Sequence, residues 1–351
     1  MKEKISSEQI FCLVIAIIIP TIILWVPAVE VGLAQETAWI TVIVAGIVGL
    51  VLQYIILKLG CGFSNKSIVE DVKDIFGPLL GRIIIFPYLS MIIYDTTTLL
   101  NQLIEFIEFF MPRSFIIGIW IGITLLIVYF VYAGIENIAR VALLTSSLLI
   151  MVILIVMLLN YPNYEDRLKS ILIDFNQIFK GSIYAFSWFI LPSIVLLFLK
   201  PFFKDNNKAI KSSLLGSLFS QLLITILIVI CILVFDINLL SILSYPFYSL
   251  GTLIIEGLGV IIFVAWISGN IVKISLYYFI SIKSIAEWFE LNRWKKIIIP
   301  FSIMILAISI FKSQVPIIKF LNTNYYVVGY LVIQIPILLI ISIGYLLSSK
   351  N

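Results

Sequence analysis

Histidine is absent from these 351 residues. That removes the commonest general base and the commonest metal ligand. Charge is scarce as well. Asp, Glu, Lys and Arg supply 12% of the chain, and no long polar tract interrupts the apolar runs, which excludes a separate soluble domain of any size. The three cysteines, Cys12, Cys61 and Cys231, stand far apart. They form no CxxC pair and no metal pattern, and read as buried or loop thiols. No phosphate loop and no nucleophile elbow is present. An enzyme is therefore not expected, and neither is a cofactor. The net charge of +4 is not a nucleic-acid signature, because the basic residues cluster in short loops between apolar stretches.

What is present is hydrophobic: 62% of the residues. Ten stretches have membrane-crossing length, at roughly 9–32, 37–58, 83–110, 114–132, 138–160, 180–201, 209–235, 259–283, 297–315 and 324–348. Each covers the ~30 Å hydrocarbon layer at 1.5 Å per residue. Lys2 and Lys4 before the first run, and Gly32-Leu33-Ala34 after it, imitate a signal peptide. The run is longer than a usual signal core, and another span follows at once, so it reads as a retained helix. With the N-terminus inside, sixteen Lys and Arg fall in cytoplasmic segments and six outside, leaving Lys273 in the membrane. Both termini are then cytoplasmic. The outer loop 161–179 carries Arg167 and Lys169 against this trend and is expected to form a short surface helix.

Prolines mark two helices. Pro20 lies near the middle of span one and Pro192 near the middle of span six, five spans later and running the other way. This points to a single all-α transmembrane domain, 1–351. It would be built as a five-plus-five inverted repeat, about 9–160 and about 180–348, with helices one and six broken around a site. Kinking prolines are also common in membrane helices without any such site.

Two spans are polar where lipid would forbid it. In span eight Trp266, Gly269/Asn270, Lys273 and Tyr277 share one helix face. An ammonium near mid-membrane costs roughly 2.5–3.5 kcal/mol. Lys273 is either a structural lysine, paired with a carboxylate or with carbonyls, or a fixed cation at the heart of a transporter-like fold. In span three Tyr94, Thr98, Asn101, Glu105 and Glu108 form a stripe flanked by Asp95 and Gln102. Asp95 sits near mid-depth and is a potential partner of Lys273, while Glu105 and Glu108 approach the outer rim. Span five carries Thr145-Ser146-Ser147 at a depth similar to Lys273. These hydroxyls either face the ammonium or bond back to their own helix. Ser67–Leu80 reads as an amphipathic helix on the inner membrane surface. Gly118-x-x-x-Gly122 permits close contact and reads as internal packing rather than a dimer face.

The chain resembles the spore germination permease family, the B-type subunits of nutrient germinant receptors, within the amino acid–polyamine–organocation superfamily. The carriers are Ile5-Ser6-Ser7-Glu8-Gln9-Ile10-Phe11, Glu105-Phe106-Ile107 with Met111-Pro112, Tyr245-Pro246-Phe247, and Trp266 through Tyr278. Their order across ten spans covers nearly the whole chain. The resemblance implies a LeuT-like fold and a multi-pass sensor in the inner membrane of a bacterial spore. It would bind a small nutrient, an amino acid first, and pass the signal to A-type and C-type receptor subunits. A proton-coupled, sodium-independent amino acid transporter is the alternative. By the same analogy, the amides of Thr21 and Ile22 after Pro20 would hold a ligand carboxylate. Carbonyls at Phe186, Ser187 and Trp188 would accept its ammonium, and Tyr94, Thr98, Trp188, Trp266 and Asn270 would shape the pocket. Lys273, with Ser146, Ser147 and Asp95, would replace the sodium that links helices one, five and eight in coupled relatives.

Overall fold

The computed structural model describes residues 3–110, 115–164, 174–312 and 324–348. Among them the regular structure is helical, apart from one parallel bridge between Ile5 and Phe203. Ten helices are long: α1 (Ser7–Ala34), α2 (Ala38–Phe63), α4 (Pro78–Glu108), α5 (Ile116–Ala133), α6 (Ile135–Leu159), α7 (Phe175–Leu199), α8 (Asn206–Val234), α11 (Leu258–Trp288), α12 (Ile298–Lys312) and α13 (Asn324–Ser348). Three are short: α3 (Ile68–Phe76), α9 (Ile237–Ile242) and α10 (Pro246–Ile254). The long ones match the ten expected spans. The expected surface helix and the Met111-Pro112 motif fall largely or wholly outside the described residues.

Local chemistry sets the helix ends. Ser6 and Gln9 form a reciprocal capping box at the start of α1, and Asp174, Asp205 and Asp236 accept amide hydrogens at the starts of α7, α8 and α9. Such caps satisfy donors that the first helical turn leaves unpaired. Gly77 (φ 82°) and Gly134 (φ 94°) make the joints before α4 and α6. A side chain would be strained at both angles.

The packing is paired. α1 lies along α8 and α2 along α7, while α4 meets α12 and α11 meets α5. Each member of a pair has its counterpart five spans on, as a two-fold inverted repeat requires. Glycine allows the closest crossings. A Cβ at Gly49 would lie 2.7 Å from Phe189 Cβ, and one at Gly216 would lie 2.9 Å from the Phe11 carbonyl. α1 is buried along nearly its whole length, whereas α5 shows Ile117, Leu125 and Tyr129 to the outside. Outward apolar faces of this kind suit lipid.

Three expectations are corrected. First, the two helices expected to be broken are continuous: α1 runs through Pro20 and Pro27, and α7 through Pro192. Second, α3 is a helix whose apolar side packs on protein and not on lipid. Ile68, Val69 and Val72 are wholly buried against neighbouring helices. Asp71, on its polar side, is also wholly buried and pairs with Lys200 at the end of α7. Ser64 and Tyr345 donate to the same carboxylate, and Lys200 also donates to the Gly60 carbonyl at 2.9 Å. A buried ion pair survives where such further bonds complete it. Third, a Cβ added at Gly118 or Gly122 would meet nothing within 4 Å, so these glycines do not serve internal packing.

Candidate functional site

Proline in a helix has no amide hydrogen, which frees the carbonyl one turn before it and loosens the local ladder. Pro20 thereby frees the Ala16 carbonyl, and two further carbonyls of this stretch, those of Ile17 and Pro20, are met from α11. Trp266 Nε1 donates to the Pro20 carbonyl at 2.6 Å. Lys273 Nζ donates to the Ile17 carbonyl at 2.5 Å and bonds the Thr21 hydroxyl. Trp266 and Lys273 are two turns apart on one face of α11, and the long lysine side chain lets both converge on a single turn of α1, Ile17 to Thr21. Between them Gly269 brings the α11 backbone onto the Pro20 ring, where a Cβ would sit 3.3 Å from the ring carbon. This clamp gives a physical reason for the unbroken helix: side chains of α11 occupy the acceptors that an unwound segment would offer to a ligand.

The arrangement also accounts for a buried lysine. Trp266 and Asn270 are wholly buried and Lys273 is 1% exposed. A hydrogen bond to a charged donor contributes ~1.5–3 kcal/mol. Two of them offset the ~2.5–3.5 kcal/mol of placing an ammonium at this depth. Asp95, also buried, lies within electrostatic reach of Lys273, Tyr277 and Lys312.

The expected site residues divide into three groups. Pro20, Thr21, Trp266, Asn270 and Lys273 come together, and Ile22 is core beside them. The Thr21 and Ile22 amides stay inside the helix. Tyr94 and Thr98 sit elsewhere, around Lys312 of α12. Its Nζ lies 3.6 Å from the Tyr94 ring centre and donates to Thr97 Oγ1 at 3.1 Å and Thr98 Oγ1 at 2.8 Å. Asp95 stands between these two groups. Phe186 and Trp188 form a third group, packing with Val29 and Leu33 toward the Ala34 end of α1, called its outer end, while Ser187 bonds back to the Tyr184 carbonyl.

The hydroxyl trio of span five does not reach the ammonium. Ser146 donates to the Cys12 carbonyl of α1 at 3.0 Å, below the clamp. Thr145 and Ser147 bond carbonyls of their own helix, and Ser147 is exposed. Sequence reasoning missed Lys312, which it placed outside the membrane. The available signal was its place three residues inside the end of the expected span 297–315. It also missed Glu30, a carboxylate inside an apolar span.

Outward of the clamp, aromatic rings fill the bundle. Phe106 is wholly buried and touches Phe110, Tyr245, Phe263 and Trp266, with ring centres 4.5 to 5.6 Å away. Trp25 meets Trp266 edge-on at 6.4 Å and also lines a cavity of about 240 Å³ between the outer half of α1 and residues 241–244. The cavity thus ends one tryptophan short of the clamp.

A family model described as a spore germination protein matches residues 4–316. The chain belongs to that family. Spore germination protein KB of Bacillus subtilis (strain 168) is 24% identical over 320 residues, 88% of this chain and 85% of that protein. Spore germination protein GerQB of Bacillus cereus is 23% identical, covering 97% of this chain and 96% of its own length. Among solved structures, MhsT in complex with L-phenylalanine superposes with a TM-score of 0.67 at 12% identity, covering 98% of this chain and 89% of that one. MHP1, a nucleobase-cation-symport-1 family transporter, gives 0.62 at 11% identity, covering 94% and 76%. The family is one of permeases in the membrane, and the fold is the LeuT-like five-plus-five arrangement.

Proposed function

We propose that this chain is the B-type subunit of a nutrient germinant receptor. It binds a small nutrient, an amino acid first, and signals germination through A-type and C-type partner subunits in the spore inner membrane, with both termini cytoplasmic. The observation that carries this reading is the clamp of Trp266 and Lys273 on the mid-depth carbonyls of α1. A ligand with its own donors competes for those carbonyls and releases α1 from α11. Asn270 Oδ1, Trp25 Nε1 and Trp188 Nε1, buried without a hydrogen-bond partner among the described residues, are groups a polar ligand would satisfy. Ligand binding then biases a closed-to-open equilibrium by its differential affinity for the two states.

The second reading, a proton-coupled and sodium-independent amino acid transporter, is favoured by the same lysine: a tethered ammonium supplies the charge that a sodium ion would bring. Uptake of labelled amino acids into proteoliposomes, with and without a pH gradient, separates the two when run beside equilibrium binding. Saturable binding without accumulation is the receptor outcome. Gradient-driven accumulation is the transporter outcome. K273M is expected to keep the fold and lose the ligand response in either case.

A further inference from the structure

Glu30 is 0% exposed, two to three turns outward of the clamp on α1. Its Oε2 lies 2.7 Å from Thr41 Oγ1 on α2. The same hydroxyl lies 2.7 Å from the Ala38 carbonyl. Glu30 Oε1 has no hydrogen-bond partner among the described residues. Gly181 of α7 closes the third side: a Cβ there would lie 2.6 Å from Thr41 Cγ2 and 3.1 Å from Glu30 Oε2.

A threonine hydroxyl has one hydrogen to donate. If Glu30 were ionised, both short contacts of Thr41 would run to acceptors, and one of them would be a bare oxygen–oxygen contact. A proton on Glu30 resolves the count. Oε2–H then donates to Thr41 Oγ1, and Thr41 donates its own hydrogen to Ala38. Burial argues the same way, since a carboxylate taken from water without a cation neutralises instead. Among the described residues no charged side chain of α1, α2 or α7 acts on Glu30, and the titratable group facing it is the Tyr184 phenol of α7. The Glu30, Thr41 and Gly181 cluster is a different place from the clamp and does not depend on what ligand the clamp meets.

We propose that Glu30 and Thr41 form a proton-binding site, sealed by Gly181, in which Glu30 is held as the neutral acid. Movement of α7 away from α1 and α2 wets the carboxyl, which ionises at neutral pH, so each opening releases one proton to water. By linkage, acid conditions favour the sealed arrangement.

Infrared spectroscopy of the full-length protein in phosphatidylcholine vesicles at neutral pH tests this. The wild-type minus E30Q difference is expected to hold a neutral-carboxyl carbonyl band and no carboxylate bands. T41V, which removes the acceptor of the acid proton, is expected to move that band to higher frequency, while T41S leaves it in place. Carboxylate bands in the first difference, or a neutral band unmoved by T41V, overturn the proposal. Should E30Q fail to fold, the T41V and T41S pair still decides, because both retain Glu30.

Discussion

The half of this bundle at the Ser7 end of α1, called inner, and the half at its Ala34 end, called outer, are closed by opposite means. The inner half is latched by directional polar bonds. Lys200 and Asp71 tie α2, α3, α7 and α13 together. Lys73 and Arg82 share Glu290 beyond α11. Glu3 accepts the amide of Ile135 at the start of α6, and Lys4 donates to the Pro201 and Phe203 carbonyls. The outer half is filled by the rings around Phe106 and opens into a cavity beside α1. A polar latch fails abruptly, because losing one partner strands the other in a dry interior. Rings repack with modest loss, since their attraction is not tied to one geometry. The outer half thus tolerates repacking, and the inner half holds one arrangement until it gives way at once.

The sharpest way to break this contrast is at Asp71. D71A strands the Lys200 ammonium and is expected to cost ~3–5 kcal/mol, read as lost thermal stability in detergent. D71L combined with K200M is expected to recover most of it; a double variant as unstable as D71A would mean the latch acts through packing. F106A follows, at ~3 kcal/mol for a buried ring removed, while F106L stays within ~1.5 kcal/mol. Equal losses for the two would show that the outer half is as geometrically fixed as the inner. W266F removes one bond of the clamp and is expected to cost ~1 kcal/mol, with faster hydrogen exchange confined to the middle of α1.

The smallest effect is a pH dependence at the inner rim. Hydrogen bonds from Lys73 and Arg82 hold the Glu290 carboxyl below its ordinary value of 4.5. Its contribution is therefore present above that value and is lost as pH falls through the lowered one. Wild type and E290Q are expected to differ in exchange near residue 290 at neutral pH and to converge in acid, with no difference at neutral pH counting against the contact.

Much of this architecture is legible in the residues themselves. Ten spans and a repeat five helices long follow from hydropathy and two prolines, because lipid enforces length and internal hydrogen bonding on every crossing. The shared face of Trp266 and Lys273 is legible for the same reason: helical periodicity is local. Their partners are not, because backbone carbonyls leave no mark in a sequence. Asp71 shows the limit of periodicity. It falls on the polar side of α3, yet its partner Lys200 lies 129 residues away, and only the fold tells a solvated carboxylate from a buried one. The resemblance assigns Tyr94 and Thr98 to a ligand pocket; their neighbour is Lys312, set by how α12 packs on α4.

One property of α1 has a mechanical meaning. It is a single rod of 28 residues, about 42 Å long at 1.5 Å per residue, and a rod that tilts as one piece is a lever and not two hinged arms. Its fulcrum is Pro20, almost midway between Ser7 and Ala34. Tilting about that point, the rod would carry a push of a few ångströms on the end beside the cavity to the other end in the opposite direction, where Ile5 is paired to Phe203. A rod pivoted at its centre needs no chain of side-chain rearrangements to carry a message across the bilayer.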